Sequence, residues 1–392
     1  MKRLEAAADL ETELLGAIET WHERGQEIDD DAFNDLALGI FACQLRHNVP
    51  YARYCAARGV TLERMSDSWE AIPPVPAAAF KEAALATFDP ARAALVFETS
   101  GTTRGTGGRH YMETAALYDA ALLAGFDRSM LADGARLRYL NLVPNPVERP
   151  ESSLGYMMAR VAHERGTEKT GWYLQGEHLS VDAFLGDVRE SVDRAEPVCI
   201  ATTAFALAAV LDAAEERAQR FTLARASRIM ETGGFKGRAR TISREELYSR
   251  ATRCLGIDET SIIGEYGMTE LTSQWYDAIP SKTVIPSKTV IPSERSAARF
   301  ATSREAPQVS ARLKSSPPWL RARAVAADGT TLPDGVVGAL VHVDLANLFS
   351  CVAIESEDLG ATYGREIVLL GREAGAELRG CSLDAEMLLS RP

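Results

Sequence analysis

The sequence predicts an α/β fold, and two observations carry this prediction. From Leu95 onward, short runs rich in β-branched and aromatic residues alternate with alanine-rich segments of helical character, which is the pattern of strands joined by helices. The chain has 392 residues, of which 46% are hydrophobic and 25% are charged, so it can bury a large core. At roughly 150 residues per domain, two or three domains are expected, although a large single α/β unit can reach this size.

The first ninety residues are predicted to form a helical part of the large domain. Apolar residues recur there at three- and four-residue spacing, as in Leu36, Ile40 and Leu45, and this period is typical of helices. The proline-rich segment 72–76 cannot lie inside a helix. The α/β core is predicted over 91–370, and a short C-terminal segment is predicted over 371–392.

Charge and cysteine usage exclude several classes of protein. The net charge of −12 disfavours a nonspecific nucleic-acid surface or a surface for anionic membranes. The six cysteines are scattered, so neither a CxxC metal site nor a small disulfide framework is predicted. The N-terminus is charged and lacks the apolar run of a signal peptide, and no stretch of about 18 uncharged apolar residues occurs. A cytoplasmic protein without a membrane span is therefore expected.

A segment rich in glycine and hydroxyl residues, Ser100–Arg109, predicts a phosphate-binding loop between a strand and a helix. It holds four glycines, four hydroxyl residues and two arginines. Glycine backbone N–H groups can surround an anion, hydroxyls add hydrogen bonds, and arginine supplies positive charge. The residue order is not that of a P-loop, and a flexible linker is the alternative. His110 follows the loop and can donate a hydrogen bond to a phosphate or to a carboxylate. The predicted binding residues of the loop are Ser100, Gly101, Thr102, Thr103, Gly105 and Arg109.

A second motif, Tyr266–Glu270, follows a β-rich run. The Tyr266 ring can stack on a base, and the Glu270 carboxylate can hold Mg²⁺ beside phosphates. Taken alone, the motif is better explained by a strand, a glycine turn and a solvent-facing acid.

A six-residue tandem repeat, IPSKTV, occupies the region from Ile279 to Ser293. Two copies are too few for a solenoid, and the prolines disfavour a helix or a central strand. A surface loop or flexible lid is predicted over 278–318, and no chemistry is assigned to it.

Taken in order, the Ser100–Arg109 loop and the Tyr266–Glu270 motif resemble those of the adenylate-forming enzymes, which activate carboxylates as acyl-AMP. The ESEDLG segment around Asp358 and the dipeptide Gly371–Arg372 extend the resemblance. It implies an adenylate-forming enzyme fold with a large N-terminal α/β domain and a truncated C-terminal subdomain, and it implies ATP and Mg²⁺ as cofactors. The loop would hold the triphosphate, and Glu270 would hold the metal. Asp358 is expected to lie in a turn and would bind the ribose hydroxyls. The other residues implied at the nucleotide are Gly233, Gly234, Glu265, Tyr266, Gly267, Thr269 and Arg372.

Within that superfamily, nearly the whole chain resembles the acyl-protein synthetase (LuxE) family. The resemblance rests on 33–38, 72–76, 97–111, 152–157, 230–237 and 379–383. It implies a long-chain fatty acid as substrate, and an acyl reductase or another acyl-acceptor protein as partner. It further implies that Cys381 accepts the acyl group as a thioester. Cys351 is the alternative nucleophile, but its apolar flanks suit core packing better.

Charge compensation at the α-phosphate is an open point. The superfamily has a mobile C-terminal domain whose lysine contacts the acyl-phosphate, whereas no lysine follows Lys314 here. Lys236 is the candidate replacement, and a solvated turn lysine is an equal alternative. Two other functions stay open, namely a ligase that passes the acyl group to coenzyme A, an amine or a carrier protein, and a decayed catalyst that survives as a partner-binding subunit.

Overall fold

The computed structural model describes residues 2–99, 107–176, 178–233, 242–278, 283–284, 288–289 and 311–372. The α-helices are α1 Lys2–Arg24, α2 Asp30–His47, α3 Val49–Ala57, α4 Ala79–Glu82, α5 Ala116–Met130, α6 Ser153–Arg165, α7 Val181–Asp193, α8 Ala204–Glu216 and α9 Arg244–Leu255. The strands are β1 Val75–Pro76, β2 Leu95–Glu98, β3 Arg109–Met112, β4 Leu137–Pro144, β5 Gly166–Gln175, β6 His178–Leu179, β7 Val198–Thr203, β8 Arg228–Thr232, β9 Ile262–Tyr266, β10 Trp275–Asp277, β11 Thr283–Val284, β12 Lys288–Thr289, β13 Ala311–Ser315, β14 Leu320–Val325, β15 Val336–Asp344, β16 Ala353–Tyr363 and β17 Glu366–Arg372.

The chain divides into two compact units. Unit 1 comprises Met1–Gly125 together with Met268–Pro392, and unit 2 comprises Phe126–Gly267. One boundary falls within α5, and the other falls inside the motif Tyr266–Glu270.

Unit 2 is built on a mainly parallel sheet with the strand order β6-β5-β4-β7-β8-β9. The pairs β4–β5, β4–β7, β7–β8 and β8–β9 are all parallel. Parallel neighbours need crossover connections, and α6, α7, α8 and α9 supply them. The helices α7, α8 and α9 pack on one face of the sheet in an apolar core, to which Ile200, Ile229 and Phe184 contribute.

Unit 1 contains a mainly antiparallel sheet with the strand order β12-β15-β16-β17-β13-β10. In addition, β1 pairs with β16, β11 with β13 and β14 with β15, while β2 and β3 form a separate hairpin. Helices α1 to α3 share one apolar core with residues that follow β15, among them Leu345 and Phe349. The Trp21 and Trp319 rings meet edge to face in this core, with centroids 5.1 Å apart.

The predicted α/β class is confirmed, because parallel strands joined by helices make up unit 2. The β-rich runs found in the sequence form β2, β4, β7, β9, β15 and β17, and the proline-rich segment 72–76 contains the short strand β1 rather than helix. None of the helices in the described ranges combines the length and apolar character that crossing a bilayer requires.

Three local predictions were wrong. The helix predicted after the glycine-rich loop is present as α5, but it does not follow the loop directly, because the unpredicted strand β3 lies between them. Strand β13 lies within the predicted loop 278–318, because Leu313 and Lys314 are buried there and β13 pairs with β10 and β17. Asp358 lies inside β16 instead of in a turn, and the ladder to β17 shifts register between Leu359 and Gly360.

Candidate functional site

The glycine-rich loop connects the two strands of a hairpin in unit 1. Glu98 and Arg109 face each other in the β2–β3 register, and Arg109 Nε lies 2.7 Å from Glu98 Oε1. Thr99 Oγ1 accepts a hydrogen bond of 2.7 Å from Gly108 N. A side chain at Gly107 would bring Cβ within 2.5 Å of the Thr99 carbonyl oxygen, so this close approach requires glycine. The base of the loop is thus closed, while Ser100, Gly101, Thr102, Thr103 and Gly105 lie outside the described residues.

His110 is a buried, neutral histidine. Its side chain is 2% exposed, its Nδ1 lies 2.9 Å from the Thr269 carbonyl oxygen, and its ring meets the Phe80 ring edge to face. Burial lowers the pKa of His110 to about 4. Because a carbonyl oxygen only accepts, Nδ1 carries the proton and Nε2 is the acceptor of the neutral ring. The sequence predicted that His110 donates a hydrogen bond to a phosphate or a carboxylate, but the neutral ring already donates its one N–H to Thr269. Contact between His110 and a substrate stays a prediction.

Glu270 is a buried acid rather than the solvent-facing one that the motif alone suggested. It is 7% exposed, and its backbone carbonyl accepts a hydrogen bond of 2.9 Å from Asn347 Nδ2. Thr269 is tied to His110 from the other side. The part of the motif that lies in unit 1 is therefore fixed by side chains from β3 and from the turn after β15.

A single carboxylate at this place fits Mg²⁺ delivered with a nucleotide. Within the described ranges, no cluster of three or more His, Cys, Asp or Glu side chains is arranged to hold a metal ion. Mg²⁺ at phosphate sites takes only one or two protein carboxylates, and phosphates and water complete its coordination. Glu270 suits that role, whereas a metal held by protein ligands alone would need more oxygens.

In unit 2, residues of the predicted adenine site lie at the carboxyl ends of two neighbouring parallel strands. Thr232 ends β8 and pairs with Glu265 of β9, and the Thr232 hydroxyl donates to the Glu265 carboxylate. Gly233 follows with a φ of +71°, which glycine adopts without strain. Tyr266 ends β9 at the same edge and is partly buried. Ligand loops of α/β sheets lie at such strand ends. Gly234 and Lys236 lie outside the described residues.

The Glu231 carboxylate anchors the end of β8 to α9. It is 1% exposed, it accepts a hydrogen bond of 3.0 Å from the Tyr248 hydroxyl, and it lies 3.5 Å from Arg244 Nε. A buried carboxylate is tolerated only with such partners. The pair stabilises the strand end that carries Thr232.

Asp358 and Arg372 occupy facing positions on neighbouring strands. Asp358 of β16 pairs with Arg372 of β17 in the antiparallel register. Two residues that the resemblance places at the nucleotide are thus brought together at backbone level. Asp358 is partly buried, and its backbone N–H donates to Ser356 Oγ at 3.3 Å.

The described cysteines are all buried. Cys351 is fully buried, Asn48 Nδ2 lies 3.7 Å from its sulfur, and burial raises the pKa of its thiol well above the usual value. A protonated, enclosed thiol is a poor nucleophile, so the interpretation of Cys351 as a packing residue is confirmed. Cys381 lies outside the described residues.

Sequence analysis missed Asp344 and Asn347, which hold the segment after Glu270. Both are at most 1% exposed; Asp344 ends β15, and Asn347 lies three residues beyond it. The signal was present, because two polar residues three positions apart in the apolar run VHVDLANLF are unusual unless they are hydrogen-bonded.

Comparison with solved structures finds partial matches at low sequence identity. McyG A-PCP in complex with phenylalanyl-adenylate matches with a TM-score of 0.47 and 17% identity, over 73% of this chain and 48% of that one. A fatty acyl-adenylate ligase structure, from work on the E. coli and L. pneumophila enzymes, gives 0.49 and 14%, over 71% and 51%. An acyl-CoA synthetase of Brucella canis gives 0.45 and 15%, over 73% and 46%.

This chain spans about half the length of the solved structures that it matches. No protein-family model matches the sequence, and no curated protein matches it.

Proposed function

We propose that this chain activates a carboxylic acid with MgATP to give acyl-AMP and pyrophosphate. The observation that carries the proposal is the placement of the segment Tyr266–Glu270. It begins at the carboxyl end of a parallel strand and continues into a turn with the buried acid Glu270, where His110 donates to the Thr269 carbonyl oxygen and Asn347 donates to the Glu270 carbonyl oxygen. A buried acid on a backbone that is fixed in this way has the surroundings of a ligand-binding group, whereas a solvated surface acid does not.

Different residues would bind different parts of MgATP. Glu270 would hold Mg²⁺, which supplies charge neutralisation at the phosphates when bound. The loop from Ser100 to Arg109 would hold the triphosphate, and the Tyr266 ring would stack on adenine beside the strand end at Thr232. Asp358 would accept hydrogen bonds from the ribose hydroxyls.

The chemical step requires a held carboxylate and a held phosphate. A carboxylate oxygen forms a bond to the α-phosphorus of ATP, the bond from that phosphorus to the bridging oxygen breaks, and pyrophosphate leaves. Lys236 would offset the negative charge that develops on the α-phosphate, as a cation does in a water-poor site.

The finer proposal concerns the acyl acceptor and the acid. Cys381 would attack the carbonyl carbon as a thiolate, the bond to AMP would break, and a thioester would remain on the protein. Of the two candidate nucleophiles, Cys351 is fully buried and has no access to a substrate, which supports the assignment of Cys381. A long-chain fatty acid and a reductase or other acceptor protein complete this proposal, which rests on the resemblance to the LuxE family.

Acid-dependent exchange of labelled pyrophosphate into ATP tests the first reaction. Purified protein is incubated with ATP, Mg²⁺, labelled pyrophosphate and one acid at a time from a panel of fatty and aromatic acids. We expect exchange with at least one acid, and Glu270→Gln should reduce it by about 100-fold, equivalent to about 2.7 kcal/mol of lost charge stabilisation.

Glu164→Gln is the control, since the Glu164 side chain on α6 is partly exposed and pairs with Arg160. It should retain the wild-type rate. Absence of exchange with every acid, or equal exchange in the wild type and Glu270→Gln, would remove the basis of the proposal. Transfer to coenzyme A at full rate by Cys381→Ser would favour the ligase that uses a free thiol acceptor.

A further inference from the structure

The segment Thr269–Ser273, which is buried from Glu270 onward, lacks regular secondary structure. Glu270, Leu271, Thr272 and Ser273 are between 1% and 7% exposed, and no helix or strand includes them. Buried backbone groups need hydrogen-bond partners. Where a helix or a ladder does not supply them, side chains must, and those side chains then determine the course of the backbone.

The Asn347 side-chain amide hydrogen-bonds to backbone groups of this segment, and all four of its hydrogen-bonding positions are used. Its Oδ1 accepts from Thr272 N at 2.9 Å and from Thr272 Oγ1 at 2.6 Å. Its Nδ2 donates to the carbonyl oxygens of Glu270 at 2.9 Å and Cys351 at 3.0 Å. An amide has two acceptor sites and two donor hydrogens, so a flipped amide would lose all four bonds.

The Asp344 carboxylate holds the next residues of the segment. Its Oδ2 accepts from the backbone N–H groups of Thr272 at 3.0 Å and Ser273 at 2.8 Å. Its Oδ1 accepts from Ser273 Oγ at 2.9 Å and from Ala346 N at 3.0 Å. Trp319 Nε1 also donates to Ser273 Oγ, at 2.9 Å. Four donors offset the burial of this carboxylate, whose oxygens are fully enclosed.

The opposite end of the segment is tied to a different element. His110 of β3 donates to the Thr269 carbonyl oxygen at 2.9 Å. Glu270 is therefore enclosed between a contact to β3 at Thr269 and contacts to the turn after β15, and its backbone has little freedom to move.

We infer that Asp344 and Asn347 are positioning residues for Glu270, and that their hydrogen bonds to Thr269–Ser273 set the affinity of the proposed site for Mg²⁺ brought with ATP. The inference rests on the proposed function and adds a determinant that lies 74 to 77 positions away in sequence. Partners that orient a metal ligand from outside the coordination sphere govern metal affinity in proteins generally.

The test measures ATP binding as a function of Mg²⁺ concentration by isothermal titration calorimetry on the full chain. In Asn347→Asp both accepted hydrogen bonds remain, but a carboxylate oxygen replaces the Nδ2 group that donates to the carbonyl oxygens of Glu270 and Cys351. We expect the Mg²⁺ concentration for half-maximal ATP binding to rise about 10-fold or more. ATP affinity without Mg²⁺ should be unchanged.

Asn48→Asp is the matched control. Asn48 is also fully buried, its Nδ2 donates to the Ser350 carbonyl at 3.0 Å, and its Oδ1 accepts from Tyr51 N at 3.1 Å. It has the same chemistry in the same unit, so it reports the general cost of a buried aspartate. Its Mg²⁺ dependence should equal that of the wild type.

Thr272→Val provides a milder perturbation if Asn347→Asp does not fold. It removes one hydrogen bond to Asn347 with little change in shape, and we expect a shift of about fivefold in the same Mg²⁺ concentration. A folded Asn347→Asp or Thr272→Val protein with the Mg²⁺ dependence of Asn48→Asp would overturn the inference and leave the proposed function standing. Wild-type protein that binds no ATP at any Mg²⁺ concentration would instead overturn the proposed function, and the inference with it.

Discussion

Replacing His110 should change how acid affects the stability of unit 1. The pKa of His110 is about 4 in the folded chain because burial penalises the charged ring, whereas a histidine in an unfolded chain has a pKa of about 6.5. Between these pH values the unfolded chain binds more protons, so acid favours unfolding. The stability that the neutral ring provides is complete above about pH 6.5 and is lost as the pH falls towards 4.

The size of this effect follows from the two pKa values. Moving from pH 7 to pH 5 should cost about 2 kcal/mol of the free energy of unfolding through His110 alone. In His110→Gln the amide can still donate to Thr269 but does not titrate, so the loss between pH 7 and pH 5 should be smaller by about 2 kcal/mol. Burial lowers the pKa of His342 to about 3 and raises that of Asp344 to about 6. Both groups are present in the wild type and in His110→Gln, so their titration cancels in the difference between the two.

Urea unfolding at pH 7, 6 and 5, followed by tryptophan fluorescence, measures the difference. Four of the five tryptophans lie in unit 1 together with His110, so the signal reports mainly on that unit. His163→Gln is the control because the His163 side chain is 76% exposed, and its pH dependence should equal that of the wild type. The same pH dependence in His110→Gln and the wild type would refute the argument that His110 is buried and neutral.

Three further predictions concern other parts of the chain. Lys314→Met should lower the free energy of unfolding by about 3 kcal/mol, because it leaves the carboxylate of Asp277, 2.8 Å away and equally buried, without its main counter-charge; adding Asp277→Leu should recover part of the loss in a denaturation assay. Incubation with ATP and labelled acid should leave a label on the protein that neutral hydroxylamine releases; Cys381→Ser should abolish it, Cys351→Ser should retain it, and label on the Cys381 variant would move the acceptor elsewhere. Lys236→Met should slow pyrophosphate exchange by about 10²-fold with a smaller change in ATP affinity, whereas a wild-type rate would make Lys236 a solvated turn residue.

Much of the fold could be predicted because local patterns determine it. Strand β4 is an almost uninterrupted buried run, from Leu137 to Val143, as expected for a central strand of a parallel sheet. Strand β3 escaped prediction because four residues, Arg109–Met112, are too few to show a period beside a glycine-rich motif. Strand β13 escaped because its partners β10 and β17 are remote in sequence, and pairing rather than propensity decides such a strand.

The candidate site was predictable only where residues are consecutive. Tyr266 ends β9, and its place at the carboxyl end of that strand could be anticipated from the β-rich run in the sequence. The neutrality of His110 depends on its burial, and the hydrogen bond that fixes the Glu270 carbonyl comes from Asn347, 77 positions later. Contacts of this kind come from packing, which a single sequence does not display.

The most direct test of the central claim follows the carboxylate oxygen. An acid that supports pyrophosphate exchange is labelled with ¹⁸O in its carboxyl group and incubated with the protein, MgATP and hydroxylamine, which captures the acyl group. If the carboxylate attacks the α-phosphorus, one ¹⁸O atom must remain on the phosphate of AMP, and mass spectrometry should find AMP heavier by about 2 Da. Label in inorganic phosphate with release of ADP, or unlabelled AMP, would contradict the account.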